Sequence, residues 1–125
     1  MMEDLRYLLK DENGAGIFKL NCSLSALQDS VKRAEFELFE VDFAAAHGKG
    51  EQLAEIARAI KAPDWFGHNW DALADALGDL SWCPAAGYVL LVHGEPSSDA
   101  IFDEILKTTV SYWKLQGKAF WVFFA

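Results

Sequence analysis

The spacing of apolar positions changes several times along this 125-residue chain, and each change predicts a different element. Two short apolar runs, Leu5 to Leu9 and Ala15 to Leu20, flank Asp11-Glu12-Asn13-Gly14. An Asn-Gly pair at a turn predicts a β-hairpin there. Ser23 then stands where an N-cap belongs, before a helix carrying Leu24, Leu27, Val31 and Ala34 on one face. Phe36 to Phe43 mixes aromatic and β-branched residues with acids and predicts a strand. Gly50 to Lys61 places Leu53, Ile56, Ala57 and Ile60 at helical spacing, with Pro63 ending the run. Asn69 to Leu80 predicts a further helix and Tyr88 to His93 an apolar strand. Ser97 and Ser98 precede a long helix with Ile101, Ile105, Leu106, Thr109, Tyr112 and Trp113, closed by Gly117. Ala119 to Phe124 predicts the last strand.

Near-continuous apolar strands separated by a helix belong to parallel sheets covered on both faces. The expectation is therefore an α/β fold: a small parallel sheet of about three strands packed with helices. Residues 1–34 read as an N-terminal extension of hairpin and helix, and residues 35–125 as the main domain. The chain shows no internal repeat, low-complexity tract or linker.

Composition adds direction to this outline. A domain of this length buries a self-sufficient core, and 52% apolar and 24% charged residues are ordinary for a globular protein. The formal net charge is −8. All of it comes from the window between Ala62 and Leu106, which holds eight acids (Asp64, Asp71, Asp75, Asp79, Glu95, Asp99, Asp103, Glu104) and no Lys or Arg. An imbalance confined to one window predicts a directed acidic surface facing something basic. It argues against nucleic acid as a partner, because phosphate affinity is built from Lys and Arg. Cys22 and Cys83 are expected to be free thiols. With an acidic start at Met1-Met2-Glu3-Asp4 and no apolar run of membrane-spanning length, the expectation is a cytoplasmic protein with no membrane partner.

Within that window one helix is readable residue by residue. At about 100° per residue, Leu73, Ala76, Leu77 and Leu80 share one face with Trp70 at its edge. Asp71, Asp75 and Asp79 form the opposite stripe, four residues apart. Like charges at that spacing cost an isolated helix roughly 0.2–0.5 kcal/mol per pair. Asp71 suits the first turn, whereas Asp79 near the other end opposes the helix dipole. A wet face tuned only for stability would carry a base here, so the stripe points to docking of a cationic partner, with a merely solvated face as the alternative. Catalysis has little support. A shared-proton carboxylate pair requires burial, and His68, Asp71 and Asp75 lack a recognised metal-ligand spacing. His47 and His93 read as a loop residue and a strand-end residue. No phosphate loop or nucleophile arrangement stands out, so no enzyme activity, cofactor or metal is expected. Trp65, beside Gly67, is a candidate exposed anchor, since aromatic residues next to charges are the usual hot-spot composition. Trp82, Trp113 and Trp121 read as core residues.

The segment Pro63-Asp64-Trp65-Phe66-Gly67-His68-Asn69-Trp70-Asp71-Ala72-Leu73-Ala74-Asp75 resembles the barstar family of intracellular ribonuclease inhibitors. The family pattern is Pro-acid-aromatic-aromatic-Gly-x-Asn-hydrophobic-Asp-Ala-Leu-x-Asp, and the order of elements from about residue 35 to 125 agrees with it. The resemblance implies a three-stranded parallel sheet with packed helices. It also implies inhibition by plugging the basic active site of a secreted ribonuclease. On that resemblance Asp75 is the central acid, Asp71 its neighbour, and Trp65, Gly67 and Asn69 the loop contacts; Ala74 and Asp79 complete the partner-binding set. Two positions depart from the prototype: Ala74 stands in place of a Trp, and Tyr112 in place of an acid late in the long helix. Residues 1–34 have no counterpart in the pattern. The expected function is a ribonuclease inhibitor; the alternative is a non-enzymatic assembly domain that self-associates through residues 1–34.

Overall fold

The computed structural model describes residues 9–11, 13–64, 66–96 and 99–125. Within them the chain forms β1 (Ile17–Lys19), α1 (Leu24–Ala34), β2 (Glu37–Asp42), α2 (Gly48–Ile60), α3 (Trp70–Leu77), β3 (Gly87–His93), α4 (Asp99–Leu115) and β4 (Ala119–Phe124). All strands run parallel in one four-stranded sheet of order β1-β4-β3-β2. The α/β class and the parallel sheet match the sequence expectation, with four strands in place of about three. The additional strand is β1, supplied by the extension.

The strand predicted after the Asn-Gly turn exists, but its partner differs from the expected one. Gly14 N–H donates to the Asp11 carbonyl at 3.0 Å, and Asn13 N–H to the Asp11 side chain at 3.1 Å, so the turn forms where its residues specify. Beyond it Ile17–Lys19 pairs in parallel with Val122–Phe124 rather than folding back as a hairpin arm. Leu9, the described end of the first predicted arm, is in no strand; its carbonyl accepts the Trp121 indole N–H at 2.7 Å. The rest of that arm lies outside the described residues. An apolar strand gains most by joining a buried sheet, and the exposed edge of β4 offers that gain where a two-stranded ribbon does not.

Side chains along the strands alternate between two cores. Phe39, Val41, Tyr88, Leu90, Val92, Phe120 and Val122 face α2, α3 and α4. Val89, Leu91, Ala119 and Trp121 face the other way, onto Leu27 and Val31 of α1 together with Leu9 and Ala15. Both faces of β3 and β4 are thus dry, which is why Tyr88–Val92 and Ala119–Val122 read as unbroken apolar runs. Of the α1 face expected to be apolar and covered, Leu27, Val31 and Ala34 are buried and Leu24 is exposed.

Helix ends follow local chemistry. The Ser23 hydroxyl accepts the Ala26 N–H at 3.1 Å. Lys61 takes a left-handed conformation (φ 55°), and the Ala62 N–H reaches back to the Ala57 carbonyl, closing α2 before Pro63. Gly117, at φ 75°, ends the turn after α4 as its position predicts. Ser97 and Ser98, the residues expected to open that helix, lie outside the described residues.

Candidate functional site

The acidic helix α3 is positioned from its concealed side. Leu73, Ala76 and Leu77 are fully buried, and Trp70 leans on Phe102 of α4 with ring centroids 6.4 Å apart. At its C-terminal end the Leu77 carbonyl accepts the Trp113 indole N–H at 2.8 Å, a buried bond that satisfies a group the helix itself leaves unpaired. Trp82 does the same for α2, donating to the Ile60 carbonyl at 2.8 Å. These indoles serve as helix caps as well as packing volume.

At its start, the Asn69 side-chain oxygen accepts the Ala72 N–H at 2.8 Å. Asn69 is therefore an N-cap, a structural role that places its exposed amide at the rim of the acidic face. Gly67 is exposed, and a Cβ there would meet only the Asn69 amide nitrogen, at an ordinary contact distance of 3.4 Å. Phe66 is buried, its N–H donating to the Pro63 carbonyl at 3.0 Å, while its ring meets His68 edge-on at 5.2 Å. The loop is thus pinned at Phe66 and Asn69 with His68 and Gly67 facing solvent. Trp65 lies outside the described residues.

On the solvent side, Asp71, Ala74 and Asp75 are all exposed on α3. Asp79 does not share the helix, which corrects the expected three-aspartate stripe. The helix ends at Leu77, and Asp79 sits in the following turn, where its carboxylate accepts the Ser81 hydroxyl at 3.1 Å. The helical spacing of Leu80 is what extended the expectation. Leu80 does reach the core, 1% exposed, but through a left-handed turn at φ 51°. A bulky residue in that region costs on the order of 1 kcal/mol, offset here by its burial.

The acids of the basic-free window remain mostly uncompensated. Asp103 pairs with Lys107 at 2.8 Å. Asp64, Asp71, Asp75, Asp79 and Glu104 form no ion pair among the described residues. Elsewhere acids are engaged: Glu55 binds Arg58 through two bonds of 2.7 and 2.8 Å and also accepts the Asp42 N–H. Those Arg58 bonds hold the Glu55 carboxyl below the usual range.

Other chemistry is sparse. Cys22 and Cys83 are free thiols, and burial pushes the Cys83 thiol up, away from nucleophilic reactivity. Among the described residues no group of three His, Cys, Asp or Glu side chains is placed to hold a metal ion. His47 stands at the N-cap of α2 without a side-chain cap bond, and His93 ends β3. A crevice of about 760 Å³ opens at the carboxyl ends of β1, β3 and β4, between Phe18, Glu95 and Phe124. Asp71 and Asp75 are not among its lining residues, which mix apolar side chains with Lys19, Glu95 and Asp103. No helix among the described residues is long and apolar enough to cross a membrane. Tyr112, the residue standing where the prototype has an acid, is exposed and packs edge-on against Trp113 at 5.2 Å.

A comparison with curated proteins gives no match. A family model described as Barstar (barnase inhibitor) matches residues 36–125. The match begins beside β2, so it takes in β2, α2, α3, β3, α4 and β4 and leaves out β1 and α1. Its coverage of well over half the chain agrees with the capped acidic helix and the parallel sheet beneath it: the chain belongs to the barstar family.

Proposed function

We propose that this protein inhibits a small basic ribonuclease by placing the loop 64–69 and the exposed face of α3 in the enzyme's RNA-binding cleft. Asp71 and Asp75 stand in for RNA phosphates, Gly67, Asn69 and Ala74 supply close backbone and side-chain contact, Trp65 serves as the aromatic anchor, and Asp79 extends the acidic field. The observation that carries this reading is the combination of family membership with two exposed aspartates, without an ion pair among the described residues, on a helix fixed from behind. Inhibition is steric and electrostatic and needs no chemistry from the protein itself. An acidic field also steers a basic partner, so association is fast and weakened by salt.

The assembly alternative would have to use other residues than Leu27, Val31 and Ala34, which are buried within the chain; Phe18 and Leu24 are the large apolar residues exposed among the described part of the extension.

The test is titration of barnase-catalysed RNA cleavage with wild-type protein and with Asp71→Asn/Asp75→Asn. The expected result is stoichiometric inhibition by wild type and loss of at least tenfold in potency by the variant, as for truncation of desolvated charge pairs generally. Equal potency in the two proteins would remove the acidic helix from the mechanism.

A further inference from the structure

The added strand β1 carries the sheet past its helix layer. Alternation puts Ile17 and Lys19 on the face covered by α2, α3 and α4. There Ile17 packs half-buried against the core, and Lys19 is exposed. The nearest roof is α4, whose Phe102, Leu106 and Val110 belong to the core over β3 and β4. The crevice of about 760 Å³ is the space left between β1 and the start of α4.

Topology puts that space where open α/β sheets take ligands. Strand β3 leads into α4 on one face, β1 leads into α1 on the other, and β4 lies between them. The chain thus leaves the carboxyl ends of β1 and β3 in opposite directions, which opens a crevice at the end of β4. Its size suits a small molecule, and so does its make-up, an apolar floor with a few charged groups at the rim. Ile17 and Phe124 form that floor and are both half-buried, so a ligand has apolar area to cover.

The charges are sorted by wall. Lys19 stands on β1, Glu95 on the loop after β3, and Asp103 on α4. Asp103 is compensated by Lys107 at 2.8 Å. Lys19 and Glu95 form no ion pair with each other or with any other described residue, leaving one cation and one anion open to the crevice. Glu95 is also fixed in place. Gly94 turns the chain at φ 90°, and buried Gln52 donates its side-chain N–H to the Glu95 carbonyl at 2.8 Å, which anchors the loop by its backbone while the residue stays exposed.

We propose that this crevice binds a zwitterion of the amino-acid class with an aromatic side chain. Its carboxylate meets Lys19, its ammonium meets Glu95, and its ring covers Ile17 and Phe124. Charge selects this class: a simple anion leaves Glu95 unmatched and a simple cation leaves Lys19 unmatched, whereas a zwitterion satisfies both. A free amino acid and the two ends of a dipeptide present the same groups. The wall carrying Lys19 lies outside residues 36–125, so the site belongs to this chain's extension as much as to the family-matched part. It is independent of the inhibitor reading, since neither Asp71 nor Asp75 lines it.

The test is amide NMR of the full chain titrated with L-phenylalanine, phenylalanyl-phenylalanine, phenethylamine and 3-phenylpropionate. Wild type, Lys19→Gln and Glu95→Gln are compared after thermal melts establish folding. The expected result is saturable shifts at residues 17–19, 94–95 and 124–125, with a Kd for the better zwitterion on the order of 1 mM or tighter. Each singly charged analogue binds about fivefold more weakly or worse. Lys19→Gln then lowers L-phenylalanine to the level of phenethylamine, and Glu95→Gln lowers it to that of 3-phenylpropionate, a pairing that a merely structural role would not produce. Tighter binding of the dipeptide assigns the site to peptide ends, and tighter binding of L-phenylalanine to the free amino acid; both support the proposal. Absence of saturable shifts at about ten times that concentration overturns it, as does equal affinity for all four probes or wild-type affinity in both variants.

Discussion

At the scale of single residues, Asn69 and Asp75 sit six positions apart and divide the labour of one short helix. Asn69 spends its side-chain oxygen on the Ala72 N–H, so it holds α3 in place whatever it also touches. Replacing it with Ala should lower unfolding stability by about 1 kcal/mol, read as a shift in the urea midpoint at constant m-value. Asp75 has no ion pair among the described residues and stands one turn from Asp71, near the helix end where the dipole disfavours an anion. Asp75→Ala should leave the free protein as stable or up to about 0.5 kcal/mol more stable, while weakening inhibition. A clear loss of stability in that variant would make Asp75 a structural residue. The function–stability opposition at one position, and its absence at the other, separates docking groups from framework groups.

At the scale of elements, legibility tracked how local the cause was. Strand β3 and strand β4 were readable because burial on both faces leaves an unbroken apolar run, and α2 because its period and Pro63 agree. The cap at Ser23 and the stop at Gly117 were legible for the same reason: each acts within one turn. The pairing of β1 was not legible. Its partner Val122–Phe124 is about a hundred residues away, and the local turn signal is equally compatible with a hairpin. The acidic stripe was legible for Asp71 and Asp75 and over-extended to Asp79, because Leu80 satisfies the helical period while leaving the helix. The indole-to-carbonyl bonds of Trp82 and Trp113 were invisible, since a core tryptophan and a capping tryptophan look alike in sequence. The junction of β2 and α2 has its own pH signature. Glu55, lowered by its Arg58 bonds, is charged more readily folded than unfolded. Its contribution is therefore present above the ordinary value of 4.5 and lost as pH falls through the lower folded value. Melting temperatures from pH 3 to 6 should show wild type above Glu55→Gln near the top of that range and the two converging at the bottom.

At the scale of the molecule, the sheet is closed at one side by β1 and edged at the other by β2. The β2 edge carries Glu37, Glu40 and Asp42, charges that discourage pairing with another chain. The other edge depends on residues 9–34, which cover Val89, Leu91 and Trp121 and pair with β4. A chain shortened to residues 35–125 should unfold at lower temperature and associate at micromolar concentration, measured by melting and size-exclusion chromatography. A shortened chain that is monomeric and equally stable would show that the family-matched part is self-sufficient and the extension dispensable.

The fastening of α3 from behind has a consequence for how such a protein changes over generations. Its hold on the rest of the molecule runs through Leu73, Leu77, the Asn69 cap and the Trp113 indole, none of which lies at the centre of the outward face. Asp71, Ala74 and Asp75 can then be exchanged with little penalty in folding. On the proposed inhibitor reading, a change in the target's cleft can be followed by redrawing those few positions while the scaffold stays as it is.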